Sequence, residues 1–150
     1  MENDFLEEIE LLFPTIDFYL YQGILVSLLK EKDDGNIEYK RHLRDLSPQR
    51  MNNLATQMSW RIGESENTNK AIYFIGVNDD GTIYGLDQLE IIDNIRNLLS
   101  IANIINAEIN SIYVIDCSKS YILKCIITIE EPIEINPAWT WNLLHHKQSE

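Results

Sequence analysis

Polar and apolar residues alternate in distinct ways along this chain, and the changes of period mark its elements. Over residues 4–12, Phe5, Ile9 and Leu12 share one stripe, and acids crowd the first turns. That pattern predicts a short helix, since a helix N-terminus favours negative charge. Pro14 interrupts it. Residues 16–31 are apolar without a clean period, and Leu25, Leu28 and Leu29 favour a second helix there. Asp33-Asp34-Gly35-Asn36 is a break. Residues 1–34 therefore read as an N-terminal helical arm, packed on or tethered to the main domain.

From residue 35 the pattern sharpens. Ile37 to Leu43 reads as a strand. Ser47 is an N-cap with Pro48 at the first helical position, and Met51, Leu54, Met58 and Ile62 keep helical spacing up to Gly63. Residues 64–69 form a polar loop. Ala71 to Val77 is apolar on both alternating faces, as a central strand should be. Asn78-Asp79-Asp80-Gly81 predicts a hairpin turn and Thr82-Ile83-Tyr84 a return strand. Asp87 opens a long helix, with Glu90 completing a capping box and Leu89, Ile92, Leu99 and Ala102 on a wide apolar face. Ala107 to Ile115 and Tyr121 to Ile129 predict a second hairpin. Its buried face takes Ile109, Tyr113, Ile115, Leu123, Cys125 and Ile127; its polar face takes Asn110, Asp116, Lys124, Thr128 and Glu130. Pro132 and Pro137 end regular structure before a tail holding Trp139, Trp141, His145 and His146.

The expected architecture is α+β: a two-layer sandwich of a mainly antiparallel sheet, in the order β-α-β-β-α-β-β, with helices on one face. The expected parts are the arm (1–34), the α+β domain (35–131) and the tail (132–150).

Composition changes this picture little. At 150 residues, 45% hydrophobic and 24% charged, the chain suits one ordinary domain. No apolar run nears the roughly 18 residues of a membrane span. The start, Met1-Glu2-Asn3-Asp4, is acidic, unlike a secretory signal, so a cytoplasmic protein is expected. Cys117 and Cys125 flank a turn, too far apart along the hairpin to bond, and are expected as two buried free thiols. Charge matters more. The net charge is −12, yet residues 36–62 carry Lys40, Arg41, Arg44, Arg50 and Arg61 against Glu38 and Asp45. The chain as a whole repels nucleic acid, while that strip suits phosphates. Its plainer reading is solvated charge on a strand and a helix.

Several chemistries are excluded. No Gly-x-x-x-x-Gly-Lys-Ser/Thr, Gly-x-Gly-x-x-Gly, Cys-x-x-Cys or His-Glu-x-x-His occurs. Adjacent His145 and His146 diverge too much to chelate. Asn78, Asp79 and Asp80 lack the spacing of a calcium loop and read as a turn. Glu38-Tyr39-Lys40 places an acid and a base on one strand face. Metal-dependent nucleases use such a pair, with Mg²⁺ or Mn²⁺ and a second carboxylate, here Asp79 or Asp80. The plainer reading is an edge-strand charge pair.

Four blocks together carry a resemblance: Asp34-Gly35-Asn36-Ile37-Glu38-Tyr39-Lys40, Leu54-Ala55-Thr56-Gln57-Met58-Ser59-Trp60-Arg61, Ala71 to Val77, and Asp79-Asp80-Gly81 with Gly85-Leu86. In this order they resemble the N-terminal domain of the GTP-binding protein 1 and 2 family of translational GTPases, from about residue 34 to about 131. In that family the domain precedes a P-loop GTPase domain. None is present here, so GTP hydrolysis does not carry over, while a contact with protein or ribonucleoprotein does. Glu-x-Lys with Ile75-Gly76-Val77 and Asp79-Asp80-Gly81 also resembles, more loosely, Schlafen/AlbA-type domains. The expectation is a non-catalytic binding or regulatory domain without a cofactor, contacting its partner through Lys40, Arg41, Arg44, Trp60 and Arg61. The resemblance also leaves room for a decoy that competes with a full-length GTPase. Direct nucleic-acid binding is the weaker partner expectation. The alternative is a Schlafen-like metal-dependent RNase using Glu38, Lys40, Asp79 and Asp80. With 23 Ile and 14 Asn the sequence fits an AT-rich genome, a viral one included.

Overall fold

A computed structural model describes residues 3–22 and 27–130. Three helices and five strands follow one another: α1 (Asn3–Leu12), β1 (Asp17–Gln22), β2 (Ile37–Lys40), α2 (Pro48–Gly63), β3 (Lys70–Ile75), α3 (Gln88–Ile104), β4 (Ala107–Asp116) and β5 (Tyr121–Ile129). The strands form one sheet in the order β1-β4-β5-β3-β2. This is the expected α+β sandwich, but its sheet is mixed. β5 runs antiparallel to β3 and β4, while the two edge strands β1 and β2 lie parallel to β4 and β3.

Local chemistry explains the helix ends. The Ser47 hydroxyl accepts the Arg50 N–H, and Asp87 and Glu90 close the capping box, so orphan amide donors are satisfied from both sides. Leu54, Met58 and Ile62 of α2 are buried as spaced. The face of α3 is rotated from the expected one. Ile91, Asn94, Ile95, Leu98, Ile101 and Ala102 are buried, whereas Leu89 is 77% exposed.

Three strand expectations are corrected. The apolar pattern predicts a helix within residues 16–31, but residues 17–22 form β1, with Phe18 and Leu20 packed on the core between outward Asp17, Tyr19 and Tyr21. Leu28 and Leu29, from the same expected helix, lie in an irregular segment. Leu25 falls outside the described residues, as do Pro132, Pro137, Trp139, Trp141, His145 and His146. Thr82–Tyr84 makes no return strand, only single bridge pairs, because the Gly76 carbonyl takes the N–H groups of both Tyr84 and Gly85. In β4 the register shifts between Ile109 and Ser111. That bulge moves every later side chain to the other face. Ile112 and Val114 are buried in the core, and Tyr113 and Ile115 turn to the opposite face.

The main core lies between the sheet and the helices, and includes Ile9 and Phe13 from the N-terminal region. On the other face Tyr39, Val77 and Ile122 make a smaller cluster with Leu28, Phe74, Ile83, Ile115 and Cys117. Among the described residues, no helix is long and apolar enough to cross a membrane.

Candidate functional site

Strand alternation decides where the β2 charges go. Glu38 stands beside Tyr73 and Lys40 beside Ile75, both on the helix-facing side of the sheet. Helix α2 brings Arg61 to meet them. Glu38 and Arg61 are each only 3% exposed. Arg61 Nε donates to Glu38 Oε1 at 2.8 Å, and Lys40 Nζ lies 3.3 Å from Glu38 Oε2. The rest of the guanidinium faces the segment before β2. Nη1 donates to the carbonyls of Asp34 (3.0 Å) and Gly35 (2.9 Å), and Nη2 to that of Lys32 (3.0 Å). The planar fork of arginine suits such divergent acceptors. Its Cζ also sits 5.2 Å from the Trp60 ring centroid.

Glu31 is the residue of this network that the sequence did not single out. Its Oε2 accepts the Tyr39 N–H at 2.6 Å and lies 3.8 Å from Arg61 Nη2. Burial raises its pKa to about 7; the Tyr39 amide opposes the rise, and the nearby charges of Glu38 and Asp79 add to it. The Tyr39 hydroxyl donates to the Leu29 carbonyl at 2.7 Å. Leu28 and Glu31 donate their N–H groups to the carbonyls of Gly81 and Asp79. Residues 28–35 thus form a strap tied both to the edge of β2 and to the 78–81 turn. Gly81 is required there: its φ is +92°, and a Cβ would strike the Leu28 carbonyl. Tyr73, sealed behind Glu38 and Arg61, has its phenol pKa pushed well above normal, first by burial.

Asp79 and Asp80 do not complete a carboxylate cluster with Glu38. Both are exposed. Asp80 Oδ1 accepts from Thr82 N (2.9 Å) and Oγ1 (2.6 Å), bonds that lower its pKa. Among the described residues, no three His, Cys, Asp or Glu side chains are grouped to hold a metal ion.

Arg41 and Arg44 gather elsewhere. The loop after β2 is anchored by Leu43, which is buried; its N–H donates to Asn94 Oδ1 at 2.5 Å and its carbonyl accepts from Asn97 Nδ2 at 2.6 Å. Arg41, His42 and Arg44 flank that anchor and converge on Tyr84. The Arg41 guanidinium lies 5.7 Å from the ring centroid, the His42 ring 5.9 Å, and Arg44 Nη2 donates to the Tyr84 hydroxyl at 2.7 Å. Arg44 also stands 3.9 Å from Glu90. Tyr84 is 42% exposed. The His42 pKa is lowered, first by burial and then by Arg44 and Arg41, which favours the uncharged ring.

The five expected contact residues therefore divide. Lys40 and Arg61 turn inward, with Trp60 half-buried beside Arg61, while Arg41 and Arg44 are exposed. His42 and Tyr84 join the exposed group; their signal was the interleaving of rings and cations, split between two segments 40 residues apart.

Fold and site define a two-layer α+β domain with a buried ion-pair network and a cationic–aromatic surface. No protein-family model matches the chain. It is 43% identical over 101 residues, or 67% of its length, to an uncharacterised protein, R625, of Acanthamoeba polyphaga mimivirus. Over 79 residues, 53% of its length, it is 40% identical to GTP-binding protein 2 of Mus musculus and of Homo sapiens. The chain spans about half (54%) of the viral relative and 13% of GTP-binding protein 2. It thus contains a domain related to a segment of GTP-binding protein 2 and has a viral relative.

Proposed function

We propose that this chain is a non-catalytic binding or regulatory domain, akin to a module of GTP-binding protein 2, whose partner is a protein or a ribonucleoprotein. The supporting observation is the division of charge. Glu38, Lys40 and Arg61 satisfy one another and hold the strap, while Arg41 and Arg44 stand exposed on an anchored loop. Arginines beside an aromatic ring are common anchors of recognition surfaces. The relatives' name does not extend to guanine nucleotide here, since no phosphate-gripping loop occurs in the 150 residues.

The test uses the intact chain as bait in a cell extract, beside an Arg41→Glu/Arg44→Glu variant. The expected result is a defined set of translation or RNA-decay components retained by the first and lost by the second. Equal retention by both counts against the reading. So does Mn²⁺-dependent RNA cleavage by the wild-type chain that Glu38→Gln abolishes.

A further inference from the structure

We infer that the Arg41–His42–Arg44–Tyr84 cluster binds single-stranded RNA, its arginines meeting phosphates and its rings meeting bases. This deepens, and rests on, the binding reading above.

The first ground is charge against background. The chain carries −12 overall, but residues 36–62 carry +3. Lys40 and Arg61 direct their charge inward onto Glu38, and Arg50 lies on α2. Arg41 and Arg44 are thus the cations presented around Tyr84. The acids beside them are Glu90, 3.9 Å from Arg44, and Asp45. Both guanidinium groups reach the same tyrosine, so they stand close enough to serve neighbouring phosphates of one strand. Arginine's fork suits phosphate oxygens.

The second ground is preorganisation. Asn94 and Asn97 clamp both backbone groups of Leu43, between the two arginines. Little loop entropy is then lost on binding.

The third ground distinguishes RNA from an acidic peptide. Carboxylates would use the two arginines and the polar edges of the rings, and would leave the ring faces unused. The cluster also offers a tyrosine ring that is 42% exposed, with the partly buried His42 ring beside it, and aromatic rings stack on unpaired bases. A duplex hides its base faces, so rings beside cations favour a single strand.

The experiment titrates the intact chain into a fluorescein-labelled single-stranded RNA of mixed sequence and follows anisotropy. Binding is expected at about 50 mM salt and should weaken about sevenfold by about 200 mM, as two phosphate contacts on a single strand require. Arg41→Ala and Arg44→Ala should each lower affinity about fivefold or more and flatten the salt slope by about 0.7. Tyr84→Leu should cost about tenfold with the slope unchanged, whereas Tyr84→Phe, which keeps the ring, should stay within about threefold. The control Arg50→Ala should bind as wild type. Absence of binding at low salt, an equal loss in Arg50→Ala, or full competition by poly-glutamate overturns the RNA assignment. If RNA binding fails while the charge-reversed bait still loses its protein partners, only this inference falls; if both fail, the binding reading falls with it.

Discussion

At the scale of single residues, Arg61 has the largest expected effect. Its guanidinium is the partner of a carboxylate that is itself 3% exposed, and it also donates to the backbone carbonyls of Lys32, Asp33, Asp34 and Gly35. Truncation leaves Glu38 with Lys40 alone and strips the strap of its anchor. Arg61→Ala should lower the unfolding free energy by about 3–5 kcal/mol, measured by urea denaturation. Arg61→Lys should recover little, because one ammonium cannot span Glu38 and the carbonyls of Lys32 and Gly35 together. A variant within about 1 kcal/mol of wild type would show that the network contributes little. Strand alternation made the Glu38–Lys40 pairing legible from sequence. The inward turn of Arg61 was not legible: helical spacing puts it next to Ile62 on the edge of the buried stripe, where either side was open. Glu31 gave no signal at all. It is one acid in a charged stretch until the fold closes over it.

At the scale of elements, the strap over residues 28–35 responds to pH through Glu31. The folded state holds this carboxyl's proton up to about pH 7, against an ordinary value of 4.5. Between those values the folded chain binds more proton than the unfolded one, so Glu31's contribution to stability falls as pH rises. The urea midpoint should therefore drop between about pH 5 and about pH 8, and Glu31→Gln should flatten that drop. An unchanged pH profile in the variant would assign the dependence elsewhere. Elements specified by neighbours three or four residues away, such as the cap of α2 and the capping box of α3, were readable directly. Those specified at a distance were not. The tyrosines of β1 blur its alternation, and nothing near Asn110 announces the bulge that reverses the rest of β4. Asn94 looks like a surface residue by type, yet it is 1% exposed because Leu43 supplies its partner from across the fold.

At the scale of the whole molecule, the N-terminal region and the sheet share one core. Ile9, Phe13 and Ile16 are buried in it, β1 pairs along its full length with β4, and Arg61 grips residues 32–35. A chain shortened to begin at residue 36 should lose cooperative urea unfolding and aggregate, as followed by circular dichroism and size-exclusion chromatography. The shortened chain would bare the edge of β4, and bare edges recruit other strands. A soluble, cooperatively unfolding product would instead show that residues 36–130 stand alone. The parallel placement of β1 also has a consequence in time. Asp17 pairs with Ser111, so during synthesis the strand leaves the ribosome long before its neighbour exists. At about 5–20 residues per second, that interval is on the order of 5–20 s. Throughout it, Phe18 and Leu20 have no sheet to join, and a nascent chain paused before residue 111 should be a client for holding chaperones.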